Sequence, residues 1–176
     1  MTISPEDFGK LFAGFQQEAF RLETLDDYGQ SGGVEAYQDF LAGKPRPEGY
    51  ESAPWTEKVR RATDAGKRMY RVHILARPLT KYLQYELSWG YRRNMTAGEE
   101  FFILDTTEQE NPLRGVPDFW AFDERSVACM SYDDAGKFLG AELRPAGEAA
   151  QWMERRDVAL RHAVPFAEWW DRYGTE

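Results

Sequence analysis

The fold is decided by three consecutive stretches: Met69-Tyr-Arg-Val-His-Ile-Leu75, then Pro78-Leu-Thr-Lys-Tyr-Leu-Gln-Tyr-Glu-Leu-Ser-Trp-Gly-Tyr91, then Glu100-Phe-Phe-Ile-Leu-Asp105. The outer two are short apolar runs, which are typical of buried strands. The middle run has apolar residues at helical spacing and begins with a proline, so it predicts the longest helix, from Pro78 to about Asn94. The pattern therefore predicts a strand–helix–strand centre.

The sequence before this centre predicts three helices and one strand. Ser4 and Pro5 suit the cap and first turn of a helix, and residues 20–25 alternate as a short strand. Residues 34–41 and 56–65 have the spacing of two further short helices. The proline-rich segment 44–55 between them is predicted to be a surface loop.

The sequence after the centre predicts a meander and two closing helices. Three strands are expected over 118–122, 126–132 and 137–143, the last two joined by a turn at Asp133-Asp-Ala-Gly136. One helix follows Pro145 up to about His162, and another begins at Pro165. Residues 1–176 are thus predicted to form a single α+β domain, with a mixed, largely antiparallel sheet of about six strands and helices packed against it.

Composition limits the classes of function. The chain has 22 Lys and Arg against 30 Asp and Glu, a net charge of −8, which disfavours direct binding of nucleic acid. No apolar run approaches the roughly 20 residues that span a bilayer, so no membrane association is expected. Cys129 is the only cysteine and residues 1–7 lack the features of a signal peptide, which favours a cytoplasmic location.

The known catalytic patterns are missing from the sequence. Two histidines and one cysteine, without ligand spacing, predict no metal site, and no phosphate-binding loop or nucleophile elbow occurs. His162 suits the end of a helix and Asp123 suits a turn, so neither requires a catalytic role. We therefore predict no cofactor and no catalytic residue.

Glu86 is the residue that does not fit its pattern. It lies in the middle of the apolar face of the long helix, beside Tyr82 and Leu83, and a buried carboxylate without a partner costs several kcal/mol or becomes protonated. Arg93 on the same face is a candidate partner, and Arg71 and His73 on the preceding strand are others. One interpretation is a buried Glu–Arg pair that holds the helix to the strand. The other is a pocket with Glu86 as its floor, which would bind a polar or cationic ligand.

The residues around Glu86 form the predicted ligand site. In the strand 118–122, alternation places Trp120 on the face opposite to Phe119 and Ala121. We do not distinguish at this point between a structural and a functional role for Glu86. The candidate ligand-binding residues are Arg71, His73, Tyr82, Glu86, Trp89, Arg93 and Trp120.

Eight stretches spread over nearly the whole chain carry a resemblance: Ala19-Phe-Arg-Leu-Glu-Thr-Leu25, Arg71-Val-His73, Pro78 to Tyr91, Gly98-Glu99, Ile103-Leu-Asp105, Asp118-Phe-Trp120, Tyr132 to Glu142 and His162-Ala-Val-Pro-Phe166. Together they resemble an uncharacterised actinobacterial family with a domain of unknown function. The resemblance implies no known activity. Members of that family are often encoded beside helix-turn-helix regulators, which implies such a regulator as a partner.

A weaker resemblance concerns the fold alone. The order of elements is similar to one half of a phospholipase-D-type domain, but His73 and His162 do not match the catalytic motif of that family. The resemblance implies a fold without the catalysis, as in effector-binding domains of some regulators.

Three functions remain open from the sequence. The first is a non-catalytic accessory of a transcription-regulatory system that binds a small-molecule ligand, a regulator protein, or both. The second is an enzyme of unfamiliar type that uses the pocket around Glu86. The third is a toxin-like component neutralised by a neighbouring regulator. The sequence does not determine the oligomeric state.

Overall fold

The computed structural model describes residues 1–31 and 34–174. Within them the strands form one mixed sheet. Their bounds are β1 Thr2–Ile3, β2 Glu18–Glu23, β3 Arg68–Leu75, β4 Glu100–Asp105, β5 Phe119–Phe122, β6 Ser126–Tyr132, β7 Phe138–Leu143 and β8 Val164–Pro165. Their order across the sheet is β1-β7-β6-β5-β2-β3-β4-β8.

Helices connect and cover these strands. One long helix is continuous over residues 81–96 and consists of three parts, α4, a π-helical turn and α5. Short 3₁₀ turns lie at Tyr50–Ser52 and Ala146–Glu148. The helix bounds are α1 Pro5–Gly14, α2 Val34–Leu41, α3 Pro54–Asp64, α4 Lys81–Tyr85, the π turn Glu86–Tyr91, α5 Arg92–Thr96, α6 Ala149–His162 and α7 Phe166–Tyr173.

The predicted fold class is confirmed. Strands β2, β3 and β4 are parallel, and every other neighbouring pair in the described sheet is antiparallel. The sheet has eight strands rather than about six. The two additional strands, β1 and β8, have only two residues each. Two residues are too few to show an alternating pattern, so the sequence could not indicate them.

The start of the long helix differs from the prediction. The helix begins at Lys81 and not at Pro78, because Thr80 is its N-cap and its side chain accepts a hydrogen bond from the backbone N–H of Leu83. By contrast, Ser4 caps α1 as predicted and accepts a hydrogen bond from Asp7 N–H. Both caps satisfy a backbone donor that a helix end leaves free.

The two faces of the sheet are buried in different ways. One face is apolar: alternate residues of the central strands, such as Phe20 and Val72, pack against Trp152 and Ala159 of α6. Fully burying such a side chain contributes about 1.5–3 kcal/mol each. On the other face, α1 and α3 cover one end and the 81–96 helix with α7 covers the other. Charged side chains lie between those two groups.

No helix among residues 1–31 and 34–174 is long and apolar enough to cross a membrane.

Candidate functional site

A row of charged side chains crosses the second face of the sheet. Strand alternation places Arg21 and Glu23 of β2 on the same face as Arg71 and His73 of β3. The parallel register sets Arg21 opposite Arg71 and Glu23 opposite His73. Asp118, directly before β5, reaches Arg21 from the other side, with 3.4 Å between Oδ2 and Nη2. We call these five residues the ionic floor.

Glu23 is the centre of the ionic floor. Its Oε1 lies 3.1 Å from Nε of Arg21 and 3.0 Å from Nη1 of Arg71. Burial by itself would raise the pKa of Glu23, but Arg21 and then Arg71 outweigh it and lower that pKa to about 2. Glu23 is therefore ionised at neutral pH and holds the two arginines together.

Neither arginine of the floor uses all of its donors in hydrogen bonds to the described residues. Arg71 donates from Nε to Glu99 Oε1 and from Nη1 to Glu23. Arg21 donates from Nη2 to Asp118 and to the Tyr132 hydroxyl, at 2.9 Å for the latter. Nη2 of Arg71 and Nη1 of Arg21 make no hydrogen bond to any residue that the structure describes. Two guanidinium donors are thus available to a ligand.

His73 is fully buried and is linked to Glu23 through Tyr91. Nε2 of His73 lies 2.8 Å from the carbonyl oxygen of Leu25, which only accepts, so this nitrogen carries a proton. The Tyr91 hydroxyl donates to the ionised Glu23 at 2.6 Å and lies 2.8 Å from Nδ1 of His73. These hydrogen bonds connect His73 to the centre of the ionic floor through Tyr91.

Glu86 faces the ionic floor from the long helix. Its side chain is 14% exposed, and its Oε2 is buried without a hydrogen-bond partner among the described residues. The nearest nitrogen of a basic side chain is Nδ1 of His73, at 3.9 Å. Burial, followed by the charge of Glu23, raises the pKa of Glu86 well above its ordinary value. An unsatisfied buried carboxyl group is uncommon in proteins and is a candidate functional group.

The predicted ion pair of Glu86 with Arg71 or Arg93 is wrong within the described residues. Arg71 is bound by Glu23 and Glu99 instead. The guanidinium of Arg93 lies 4.4 Å from the centre of the Tyr50 ring. Both arginines therefore have other partners, and the sequence pattern could not show them because those partners lie on other elements.

The π turn brings three residues of the long helix to the same side. A π turn inserts an extra residue per turn and is frequent at functional sites. Here it begins at Glu86 and ends at Tyr91, and both residues, together with Gly90, line a cavity above the ionic floor. The widening therefore directs a carboxyl group and a phenol onto the charged row.

The cavity has a volume of about 440 Å³, within the range of about 300–1,000 Å³ usual for small-molecule sites. Charged residues form its floor and aromatic residues form most of its walls. The lining residues are Phe8, Arg21, Glu23, Tyr28, Ser31, Tyr50, Trp55, Arg71, Tyr82, Tyr85, Glu86, Gly90, Tyr91, Arg93, Asn94, Met130, Tyr132 and Phe138.

The comparison with protein families assigns this chain to one family. Residues 6–171 match a family described as Domain of unknown function (DUF6879). The chain belongs to the DUF6879 family. No curated protein matches it significantly. The match confirms the resemblance to an uncharacterised family, and the cavity of this DUF6879 domain lies within the matched residues.

Four of the seven predicted site residues line the cavity of the DUF6879 domain: Arg71, Tyr82, Glu86 and Arg93. His73 lies beneath the lining, and the Trp120 ring lies under the floor arginines, 5.6 Å from Cζ of Arg21 and 5.5 Å from that of Arg71.

Trp89 is directed away from the cavity. Its ring packs against those of Phe40 and Tyr50, with centroids 5.4 and 5.7 Å apart. The structure therefore brings six of the seven predicted residues to one place and separates Trp89 from them.

The sequence pattern does not identify several residues of the site. Arg21 and Glu23 were treated only as part of a short strand, although their spacing of two places them on one face. Asp118 was noted only for its position in a strand, yet it accepts hydrogen bonds from Thr24 and from the Tyr28 hydroxyl, the latter at 2.6 Å. Two charges on one face of a strand with buried neighbours were the available signal.

The described residues hold no group of three histidine, cysteine or carboxylate side chains placed to bind a metal ion. Cys129 is partly buried and lies outside the cavity, and burial raises the pKa of its thiol to about 11. A thiol with such a pKa is a weak nucleophile at neutral pH. The groups of this domain best placed for chemistry are therefore the ionic floor and Glu86.

Proposed function

We propose that this DUF6879 domain is a non-catalytic sensor that binds a small polar ligand in the cavity above the ionic floor. One observation carries the proposal: Glu86 Oε2 and the Tyr50 hydroxyl are buried without hydrogen-bond partners among the described residues, in the wall of a cavity large enough for a small molecule. Leaving such groups unsatisfied costs about 1–3 kcal/mol each. A ligand that bonds to them would recover that energy.

The ionic floor supports the same proposal. Buried ion pairs contribute little net stability, and replacing them by apolar residues is often neutral or stabilising. The opposite face of the same strands shows that this sheet can be covered by apolar packing. A row of buried charges under a cavity is thus better explained by recognition than by folding.

The test is a thermal-shift and titration series with four kinds of small aromatic compound: an anion, an amine, a zwitterion and a neutral amide. The blocking variant is Gly90→Ala, because a Cβ at this position lines the cavity and meets only Glu86 Cγ, at an ordinary 3.7 Å. We expect at least one compound to bind, and we expect Gly90→Ala to weaken its binding about tenfold without loss of stability.

Gly9→Ala is the matched control. Gly9 lies within helix α1, and a Cβ there has no neighbour within 4 Å. It gains helix propensity, worth about 0.5–1 kcal/mol, without touching the cavity. Absence of binding by all four kinds of compound, or equal binding by wild type and Gly90→Ala, would contradict the proposal.

A second candidate function is an enzyme in which Glu86 acts as a proton donor. The observation that favours it is the raised pKa of Glu86, caused first by burial and then by Glu23, since a protonated buried carboxyl group suits general acid catalysis. Bound compounds would be followed by proton NMR over hours. Chemical change that is lost in Glu86→Gln supports the enzyme, and unchanged spectra support the sensor.

An actinobacterial origin and a helix-turn-helix regulator as partner are proposed from the resemblance alone. A cytoplasmic location is proposed from the single cysteine, Cys129. Light scattering of this chain mixed with that regulator tests the partner, and two unshifted masses at micromolar concentration would contradict it. For the toxin-like alternative, harmless overexpression of the chain without the regulator would end the hypothesis.

A further inference from the structure

The polar groups that face the cavity fall into two sets of opposite character. One set is the pair of unused guanidinium donors on Arg21 and Arg71. The side chain of Arg21 is 12% exposed and that of Arg71 is 10% exposed, and both line the cavity. Because both arginines contact the same oxygen of Glu23, their guanidinium groups are neighbours. Two adjacent charged donors match the two oxygens of a carboxylate.

The other set is the acceptor side, at Glu86. Its Oε2 has no hydrogen-bond partner among the described residues, and both ring nitrogens of the nearby His73 are already hydrogen-bonded, to Tyr91 and to Leu25. A carboxylate oxygen without a donor matches the N–H groups of an ammonium ion.

The two sets lie on one short path through Glu23. Glu23 Oε2 is 3.5 Å from Nδ1 of His73, which is 3.9 Å from Glu86 Oε2. The other oxygen of Glu23 contacts both arginines. Arg21, Arg71 and Glu86 line the same cavity, so one small molecule can contact both sets.

The two sets require opposite charges in the ligand. Arg21 and Arg71 are held by the carboxylates of Glu23, Glu99 and Asp118 beneath the cavity. An anion alone would leave Glu86 without a donor, and a cation alone would leave the guanidinium donors without an acceptor.

We infer that the ligand is a zwitterion with an aromatic body, of the kind of an aromatic amino acid, whose carboxylate binds Arg21 and Arg71 and whose ammonium group binds Glu86. This inference rests on the proposed function. The aromatic body is indicated by the walls, where Trp55, Tyr82 and Tyr132 surround the charged groups.

The experiment is isothermal titration calorimetry with three matched probes. L-Phenylalanine carries both charges, 3-phenylpropionate lacks the ammonium group and 2-phenylethylamine lacks the carboxylate. L-Tyrosine and L-tryptophan test larger bodies, and L-alanine tests the need for an aromatic one. We expect an aromatic amino acid to bind about tenfold or more tightly than either single-charge analogue and than alanine.

Two variants test which residue binds each charged end of the ligand. Glu86→Gln is expected to remove the preference for phenylalanine over 3-phenylpropionate, because the ammonium group loses its charged partner. Arg71→Lys keeps a positive charge beside Glu23 and Glu99 but loses Nη2, so the preference over 2-phenylethylamine should fall about tenfold. Thermal denaturation of both variants verifies folding.

Arg156→Lys is the matched control. Arg156 is 11% exposed and is held by Glu18 and Glu124 outside the cavity, so its replacement should leave all affinities unchanged. Equal binding of phenylalanine and 3-phenylpropionate by wild type would overturn the zwitterion. Binding of a purely anionic or cationic compound that is sensitive to Gly90→Ala would reject the zwitterion and keep the sensor. Absence of binding by every probe would reject both.

Discussion

At position 86 the long helix carries a carboxyl group where its neighbours Leu83 and Leu87 carry apolar side chains into the core. The group is buried with Glu23 nearby, and its Oε2 receives no hydrogen bond from residues 1–31 or 34–174. In the ligand-free protein, protonation is the least costly response to such an environment. This residue therefore couples the pH of the solution to the stability of the fold.

Replacing Glu86 by Gln is expected to stabilise the ligand-free protein, increasingly so as the pH rises. Burial raises the pKa of Glu86, so the folded state keeps a proton that the unfolded state, with a pKa of 4.5, releases. The contribution of Glu86 to stability is therefore greatest below pH 4.5 and is lost as the pH rises through the folded pKa. The loss is at most about 1.4 kcal/mol per pH unit.

Glutamine does not titrate, so the stability difference should be small near about pH 5 and largest near about pH 8. Urea denaturation of both proteins measures it. The groups that face Glu86 are Glu23, His73, Arg71, Arg21 and Tyr82, and they are unchanged in the variant. Glu154→Gln, at an exposed position of α6, is the control. Parallel pH profiles for wild type and Glu86→Gln would contradict this account.

At the scale of the elements, the long helix depends on its first turn. The Thr80 hydroxyl accepts from Leu83 N–H at 3.1 Å and donates to the carbonyl oxygen of Asp26 at 2.7 Å. The cap therefore also fixes the loop after β2, which carries Tyr28 into the cavity wall.

Thr80→Ala is expected to destabilise the protein by about 1 kcal/mol, the usual value of an N-cap. Thr80→Ser keeps the hydroxyl and should recover most of this loss. Chemical denaturation measures both variants. The same loss in the serine and alanine variants would show that the methyl group, and not the cap, is responsible.

The turn between β5 and β6 is held by Asp123. Its φ of +50° is one that aspartate and asparagine tolerate better than most residues. Its carboxylate accepts from the backbone N–H groups of Gln16 and Gln17, both at 2.7 Å, and of Glu18 at 3.1 Å. The turn predicted from sequence is confirmed, and it also anchors the start of β2.

Asp123→Ala is expected to cost about 2–3 kcal/mol, because three donors lose a charged acceptor and the backbone is strained. Asp123→Asn keeps the backbone preference and one acceptor oxygen, so it should cost about half as much. Thermal denaturation compares the two variants. Equal loss would mean that the charge alone, rather than the turn geometry, determines the effect.

At the scale of the whole molecule, one sheet separates an apolar layer from a charged one. The packing of the apolar layer under α6 does not depend on pH. The charged layer needs Glu23 ionised, because Arg21 and Arg71 both contact it. The stability of the molecule under acid should therefore be determined by the ionic floor.

Acid is expected to destabilise the protein between about pH 4.5 and about pH 2. The pKa of Glu23 falls from 4.5 to about 2 on folding, because Arg21 and then Arg71 outweigh the effect of burial. Its contribution of about 3 kcal/mol is present above pH 4.5 and is lost as the pH falls through the folded value.

Urea denaturation at several pH values measures this loss, and high salt should change it little because the pairs are buried. A free energy of unfolding that stays constant down to about pH 2 would contradict the role of Glu23.

Local patterns in the sequence predicted most of the elements and one part of the site. Spacing and end signals indicated α1, the central strands, the hairpin turn at Gly136 and the closing helices, because these depend on residues close together in the chain. The same spacing identified Glu86 as misplaced on its helix. These features follow from the sequence by itself.

Only the tertiary structure decided what surrounds Glu86. Strand alternation shows that Arg21 and Glu23 share a face, but it does not show that β2 lies between β3 and β5. That placement brings Arg71, Glu23 and Asp118 together from three separate strand regions and leaves two guanidinium donors free. The π turn is equally invisible in the helical period. The sequence by itself determined the elements and the position of Glu86 on an apolar helix face. Long-range strand pairing and the widened helix turn, which only the tertiary structure shows, produced the charged cavity.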